Sequence, residues 1–153
     1  MNIVDKETDE YARLAYMIYQ IRRCLYRVTE LGLLKYDVTP EQDGVFRAIS
    51  LMNNAATFAE ITHLLIREPH TISTIIKRME KKGLLTLSRS GKSKTVVSMT
   101  ELGKETYLNA SKVQSNKRII SQLSSEKRKI IEPILRELLD ISLKELRTYH
   151  DPF

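Results

Sequence analysis

Apolar residues recur near the start of the chain at Tyr11, Leu14, Ile18, Ile21, Leu25 and Val28, with spacings of 3, 4, 3, 4 and 3. That rhythm is a heptad seam, and it predicts a helix made to lie along another helix. Acids come first (Asp5, Glu7, Asp9, Glu10) and cations later (Arg22, Arg23, Arg27), the order a helix dipole favours. Gly32 marks the expected end. The last third repeats the theme. After the N-cap signal "SSE", Ile130, Ile131, Ile134, Leu135, Leu138, Ile141 and Leu146 predict a second long helix with a broad apolar stripe. Pro133 falls early in it and reads as a first-turn residue or a mild kink. Two such helices need something to bury against, and an interface shared between two copies of the chain is the expectation.

Between these ends the punctuation changes. "TPEQDGVFRAISLM" begins with Thr39 as N-cap, Pro40 at the first helical position and Gln42 at the third, and Val45, Ile49 and Met52 supply its apolar face. A break at "NNAA" follows. "TFAEITHLL" then opens with Thr57 and Glu60 in capping-box spacing. After the short break "IRE", Pro69 starts "PHTISTIIKRMEKKG", which Gly83 closes. Short helix, tight turn, second helix: the pattern predicts a helix-turn-helix.

On a helical wheel Ile72, Ile75, Ile76 and Met79 of that second helix cluster on one side. His70, Thr74, Lys77 and Lys81 fall opposite, flanked by Ser73 and Arg78, with Glu80 nearer the buried edge. Hydroxyls and cations without a central carboxylate suit phosphates and base edges. His70, Thr71, Ser73, Thr74, Lys77, Arg78 and Lys81 are therefore the candidate DNA contacts of this helix. Two β-like runs, "LLTLSR" and "TVVSM", come next, joined by the basic tip "SRSGKSK". Arg89, Lys92 and Lys94 on that tip are further candidate DNA contacts. Thr100 then caps a helix expected over "ELGKETYLNASKVQ". A helix-turn-helix followed by a hairpin is a winged helix.

The predicted fold is mainly α with a small β-hairpin wing. Residues 1–36 form an N-terminal dimerisation helix, 37–104 the winged helix-turn-helix, and 105–153 the C-terminal helices of the dimerisation region. Charge supports this division. The net formal charge is +6 over 153 residues, and residues 57–104 hold 9 Lys and Arg against 4 Asp and Glu. A cationic middle third fits a polyanionic partner. A single cysteine, Cys24, rules out an internal disulfide and suits a reducing compartment. No signal peptide and no apolar run long enough to span a bilayer is found, so a cytoplasmic chain without a membrane partner is expected. His63, His70, His150 and Cys24 form no metal motif. No Gly-rich phosphate loop, catalytic carboxylate pair or nucleophile elbow is present, so neither enzyme activity nor a cofactor is expected. Tyr11, Tyr16, Tyr19, Tyr26 and Tyr36 read mainly as packing residues at a helix–helix interface.

The order "TPEQ", "TFAEITHLL", "TISTIIKRMEKKGLL" and "VVSMTELG" resembles the MarR (multiple antibiotic resistance regulator) family of transcription factors. The resemblance spans essentially the whole chain and is most specific over residues 71–103. It implies a homodimer with interlocked terminal helices, each protomer offering one winged helix to half of a palindromic operator in double-stranded DNA. It also implies a repressor, released in many relatives by a small phenolic or lipophilic ligand or by cysteine oxidation. Cys24 lies too close to "TPEQ" to match the sensing cysteine of such relatives and reads as a small residue beside the seam. The resemblance also makes some of the tyrosines between Tyr11 and Tyr36 candidates to line the ligand cleft that relatives have between the dimer helices and the winged helix, but no ligand-binding residue is assigned. The chain departs from the family at the wing tip, where an Asp-Arg pair is replaced by Gly91 and Lys92. Wing contacts are thus expected to be more electrostatic and less selective. That departure supports an alternative, a winged-helix protein-interaction or architectural DNA-binding module without an effector.

Overall fold

The computed structural model describes residues 9–91 and 94–149. Helix α1 runs Glu10–Leu33, one residue past Gly32, and passes into a 3₁₀ turn at Leu34–Tyr36. Asp37, left-handed at φ 52°, stops that turn. Gly32 is therefore not the helix stop it was expected to be. A Cβ there would lie 2.5 Å from Val113 Cγ1, so the residue is a site of close approach between α1 and a distant segment.

Helix α2 (Pro40–Leu51) starts at the predicted Thr39 cap. Gln42 N donates to Thr39 Oγ1, and Gln42 Oε1 accepts from Thr39 N, so two otherwise orphaned amides are satisfied. Strand β1 (Ala56–Thr57) follows, and Thr57 with Glu60 makes a second capping box for α3 (Phe58–Leu65). Ile66 ends α3 in the left-handed region, and α4 runs Pro69–Lys81. Gly83, at φ +72°, allows Gly83 N to reach Glu80 O and Leu84 N to reach Met79 O. This pair of bonds is the Schellman arrangement, with Leu84 and Met79 both in the core. Strands β2 (Leu85–Ser90) and β3 (Lys94–Met99) form the hairpin.

The sheet is antiparallel in the order β1-β3-β2, with Ala56 opposite Val97 and Leu85 opposite Met99. Strand β1 was not expected; "NNAA" reads as a break, yet its last alanine pairs with the wing. Helix α5 covers Glu101–Ala110, four residues short of the segment predicted for it. The remaining residues turn into a separate short helix, α6 (Ser115–Ile120), which packs on α1. Helix α7 runs Ser125–Thr148 from the predicted cap Ser124. Pro133 lies in its third turn, not its first, where it cannot donate to the carbonyl four residues before.

One core serves the winged helix. Val45, Phe46, Ile49, Ile61, Ile72, Ile76, Met79 and Val97 are fully buried, and Phe46 packs against Tyr107 at 5.8 Å between ring centroids. The flanking helices are different. Leu33 is the one buried residue of α1, and no residue of α7 is buried. Leu14, Ile18 and Ile21 on α1 and Ile130, Ile134, Leu135 and Ile141 on α7 lie open to solvent.

Candidate nucleic-acid interface

The wheel reading of α4 matches the structure. Ile72, Ile76 and Met79 are buried and Ile75 is half-buried, which fixes the rotation of the helix on its domain. His70, Thr74, Lys77, Arg78 and Lys81 are exposed, while Thr71 and Ser73 are half-buried at the edges of the same face. Glu80 is exposed, not tucked at the buried edge, so a carboxylate accompanies Ser73 along that flank. The Thr74 hydroxyl donates to the His70 carbonyl at 2.9 Å, leaving its lone pairs free to accept.

Before α4, the turn carries Arg67 and Glu68, both exposed. Glu68 Oε2 accepts from the Thr71 hydroxyl at 3.2 Å and lies 3.9 Å from His70 Nε2. Glu68 is not among the candidate contacts read from the sequence, yet it stands against two of them, Thr71 and His70. Its position before Pro69 made it look like part of the turn alone.

The hairpin projects beyond the core beside α4. Leu85 is buried and Leu87 half-buried, so Arg89, two residues further on the same face, continues that face into solvent. Lys94 pairs with Ser90, one position off, and therefore leaves the opposite face. Both cations are exposed. Lys92 lies outside the described residues. Gly91 is exposed at φ +68°, with no atom near a built Cβ.

Several cavities open on the winged helix, and two of them contain paired ionisable groups. A cavity of about 200 Å³ lies between Tyr26 of α1, Glu41 of α2, Leu65 and Arg67 at the end of α3, and Ile72 and Ile75 of α4. Tyr26 donates its hydroxyl to Glu41 Oε1 at 2.6 Å. That bond, together with burial and the Glu41 charge, pushes the phenol up to about 12. Burial alone would raise Glu41, but bonds from Tyr26, its own amide and Thr39, with Arg67 nearby, hold it below its ordinary value. Of the five N-terminal tyrosines, Tyr26 alone lines this cavity; Tyr11, Tyr16 and Tyr19 are exposed on α1, and Tyr36 packs against the core. A second cavity, about 460 Å³, is lined by Thr29, Asp43, Arg47, Val113, Asn116 and Lys117. Asp43 is buried there, its Oδ2 accepting from Arg47 Nε at 2.7 Å.

Among the described residues no cluster of three or more His, Cys, Asp or Glu could hold a metal ion, and no helix is long and apolar enough to cross a membrane. Cys24 is exposed on α1.

Residues 38–103 match the winged helix DNA-binding domain family. No curated protein is similar to the chain in sequence. Solved structures are similar over nearly all of it. The organohalide-sensing transcriptional regulator RdhR, in its ligand-free form, is 18% identical, with a TM-score of 0.78 over 94% of this chain and 90% of its own. The MarR protein of E. coli, solved as a mutant complexed with operator DNA, is 16% identical, with a TM-score of 0.77 over 86% of this chain and 99% of its own. The S. aureus MepR–DNA complex is 19% identical, with a TM-score of 0.76 over 83% of this chain and 96% of its own. The chain thus has the fold of the MarR-family regulators, and the resemblance in its sequence is borne out at that level.

Proposed function

We propose that this winged-helix chain is a homodimeric, sequence-specific DNA-binding transcriptional regulator of MarR type, acting as a repressor. The observation that carries the reading is the rotation of α4. Ile72, Ile76 and Met79 are fully buried and Ile75 half-buried, which turns His70, Thr74, Lys77, Arg78 and Lys81 outward together. Such a face, set beside a hairpin bearing Arg89 and Lys94, joins major-groove reading to phosphate contact nearby. His70, Thr71, Ser73, Thr74, Lys77, Arg78 and Lys81 are the proposed contacts of the helix, with Arg89, Lys92 and Lys94 those of the wing.

The dimer is supported by what the protomer leaves uncovered. Helices α1 and α7 expose long rows of Leu, Ile and Tyr, the kind of contiguous apolar surface that marks an interface. A second copy of the same two helices would cover both rows and set two reading helices for a palindromic operator. Residues 1–36 and 105–153 are assigned to that interface and 37–104 to the reading head. The Tyr26–Glu41 cavity spans the two regions, and we assign it to a small phenolic or lipophilic effector that releases DNA.

Footprinting on the DNA upstream of the chain's own reading frame tests the function: a protected palindrome supports it, and diffuse coating favours an architectural module instead. Deleting residues 127–153 should abolish dimerisation and cause aggregation. A folded, monodisperse monomer in sedimentation would refute the shared interface.

A further inference from the structure

Glu68 puts a carboxylate where a DNA-reading helix ordinarily offers donors. It occupies the N-cap position of α4 yet makes no side-chain bond to the amides of that helix. The side chain is 60% exposed. Its Oε2 is held by the Thr71 hydroxyl at 3.2 Å, and Thr71 Oγ1 lies 3.4 Å from His70 Nε2. Oε1 has no hydrogen-bond partner among the described residues. A small polar cluster therefore ends in one free acceptor, oriented through Thr71.

In helix-turn-helix proteins the N-terminal residues of the reading helix are those that meet base edges. Facing DNA, an anionic acceptor that finds no donor costs affinity, because it stands among phosphates. The major groove offers donors at two places, cytosine N4 and adenine N6. Adenine carries the acceptor N7 beside its donor, which suits an amide and repels a carboxylate. Cytosine presents its donor without that neighbour.

We propose that Glu68 reads a cytosine in each operator half-site, accepting a hydrogen bond from its N4 amino group while Thr71 steadies the other carboxylate oxygen. This rests on the DNA-binding reading above and adds a specificity-determining residue to it. The acid selects by chemistry and also penalises random DNA, where no donor meets it.

Selection from a randomised duplex library, run with the full-length wild type, Glu68→Gln and Glu68→Ala, tests the proposal. The wild type should enrich cytosine at one position of each half-site, and changing that base should weaken binding about fivefold, the scale of one base contact. Glu68→Gln should shift that position to adenine, since an amide matches N6 and N7 together. Glu68→Ala should lose the preference there, keep it elsewhere, and bind random duplex more tightly. An operator enriched identically by all three proteins would overturn the cytosine contact and leave DNA binding intact. Enrichment of no sequence by the wild type would overturn both. Tighter random binding by Glu68→Ala with an unchanged preference would reduce Glu68 to a repulsive charge and overturn the contact.

Discussion

A Cβ built on Gly103 would stand 1.9 Å from the carbonyl oxygen of Leu84, a distance no side chain can occupy. The same carbonyl accepts from Thr100 N at 3.1 Å, the Thr100 hydroxyl donates to Gly83 O at 2.6 Å, and Gly103 N donates back to that hydroxyl at 3.0 Å. The segment "TELG" thus fastens the end of α4 to α5. Because the obstacle is backbone, Gly103→Ala should destabilise the protein by about 3 kcal/mol, the upper part of the overpacking range. Urea unfolding at fixed protein concentration measures this, and an unchanged midpoint would mean that the two segments can separate freely.

What was legible in the sequence was what neighbouring residues decide. Thr39 with Gln42 and Thr57 with Glu60 announce helix starts through bonds that close within four residues. The α4 wheel was legible for the same reason. Partners far along the chain were not. Strand β1 is two residues long and exists because Val96 and Val97 pair with it some forty positions later. Helix α6 is too short to show a period and is tied to α1 by Thr29 donating to Asn116 Oδ1 and by Ser115 bonding the Val28 carbonyl. Gly32 looked like a stop because glycine commonly is one, whereas here Val113 crosses it. Glu68, proposed above to read a base, carries no local signal of that role, because a carboxylate before Pro69 also fits a plain turn.

The Tyr26–Glu41 bond gives a pH signature. Glu41 is held below its ordinary 4.5, so its contribution is present above that value and is lost as pH falls through the lower folded value. Tyr26 is raised from 10 to about 12, so its contribution is present below 10 and is lost as pH rises between those values. Tyr26→Phe should therefore cost about 1 kcal/mol across the neutral plateau, a modest figure for a half-buried pair. Unfolding midpoints of the two proteins should converge at both pH extremes. A constant gap from acid to alkali would mean the phenol acts by packing alone.

On the reading helix, Thr74→Ala and Lys77→Ala should each weaken the cognate operator by about 1–3 kcal/mol if a base contact is lost. Thr74 has only lone pairs to offer, because its proton is directed to His70 O. Its loss should therefore matter where the operator presents an amino group. Anisotropy titrations on cognate and random duplex distinguish base from phosphate contact. Full affinity for both duplexes in both variants would remove α4 from the reading role.

Arg89 and Lys94 leave opposite faces of the wing, since Arg89 pairs with Thr95 and Ser90 with Lys94. Two cations that diverge in this way should reach different phosphates, and their effects should add. In the proposed homodimer each alanine substitution removes two phosphate contacts, so it should lower the magnitude of d log K/d log[salt] by about 1.8, and the double variant by about 3.6, with similar losses on specific and random duplex. The tip itself explains why selectivity should stay low. Gly91 sits at φ +68°, and the wing sequence 85–99 contains no Asp or Glu that could orient a cation at the tip. Aspartate is one of the few side chains that tolerate that backbone. A Gly91→Asp, Lys92→Arg double change should accordingly fold and sharpen the preference for narrow, A·T-rich minor grooves, at a small cost in stability. A salt slope that ignores both Arg89→Ala and Lys94→Ala would mean the hairpin does not rest on DNA, and the engineered pair should then change nothing.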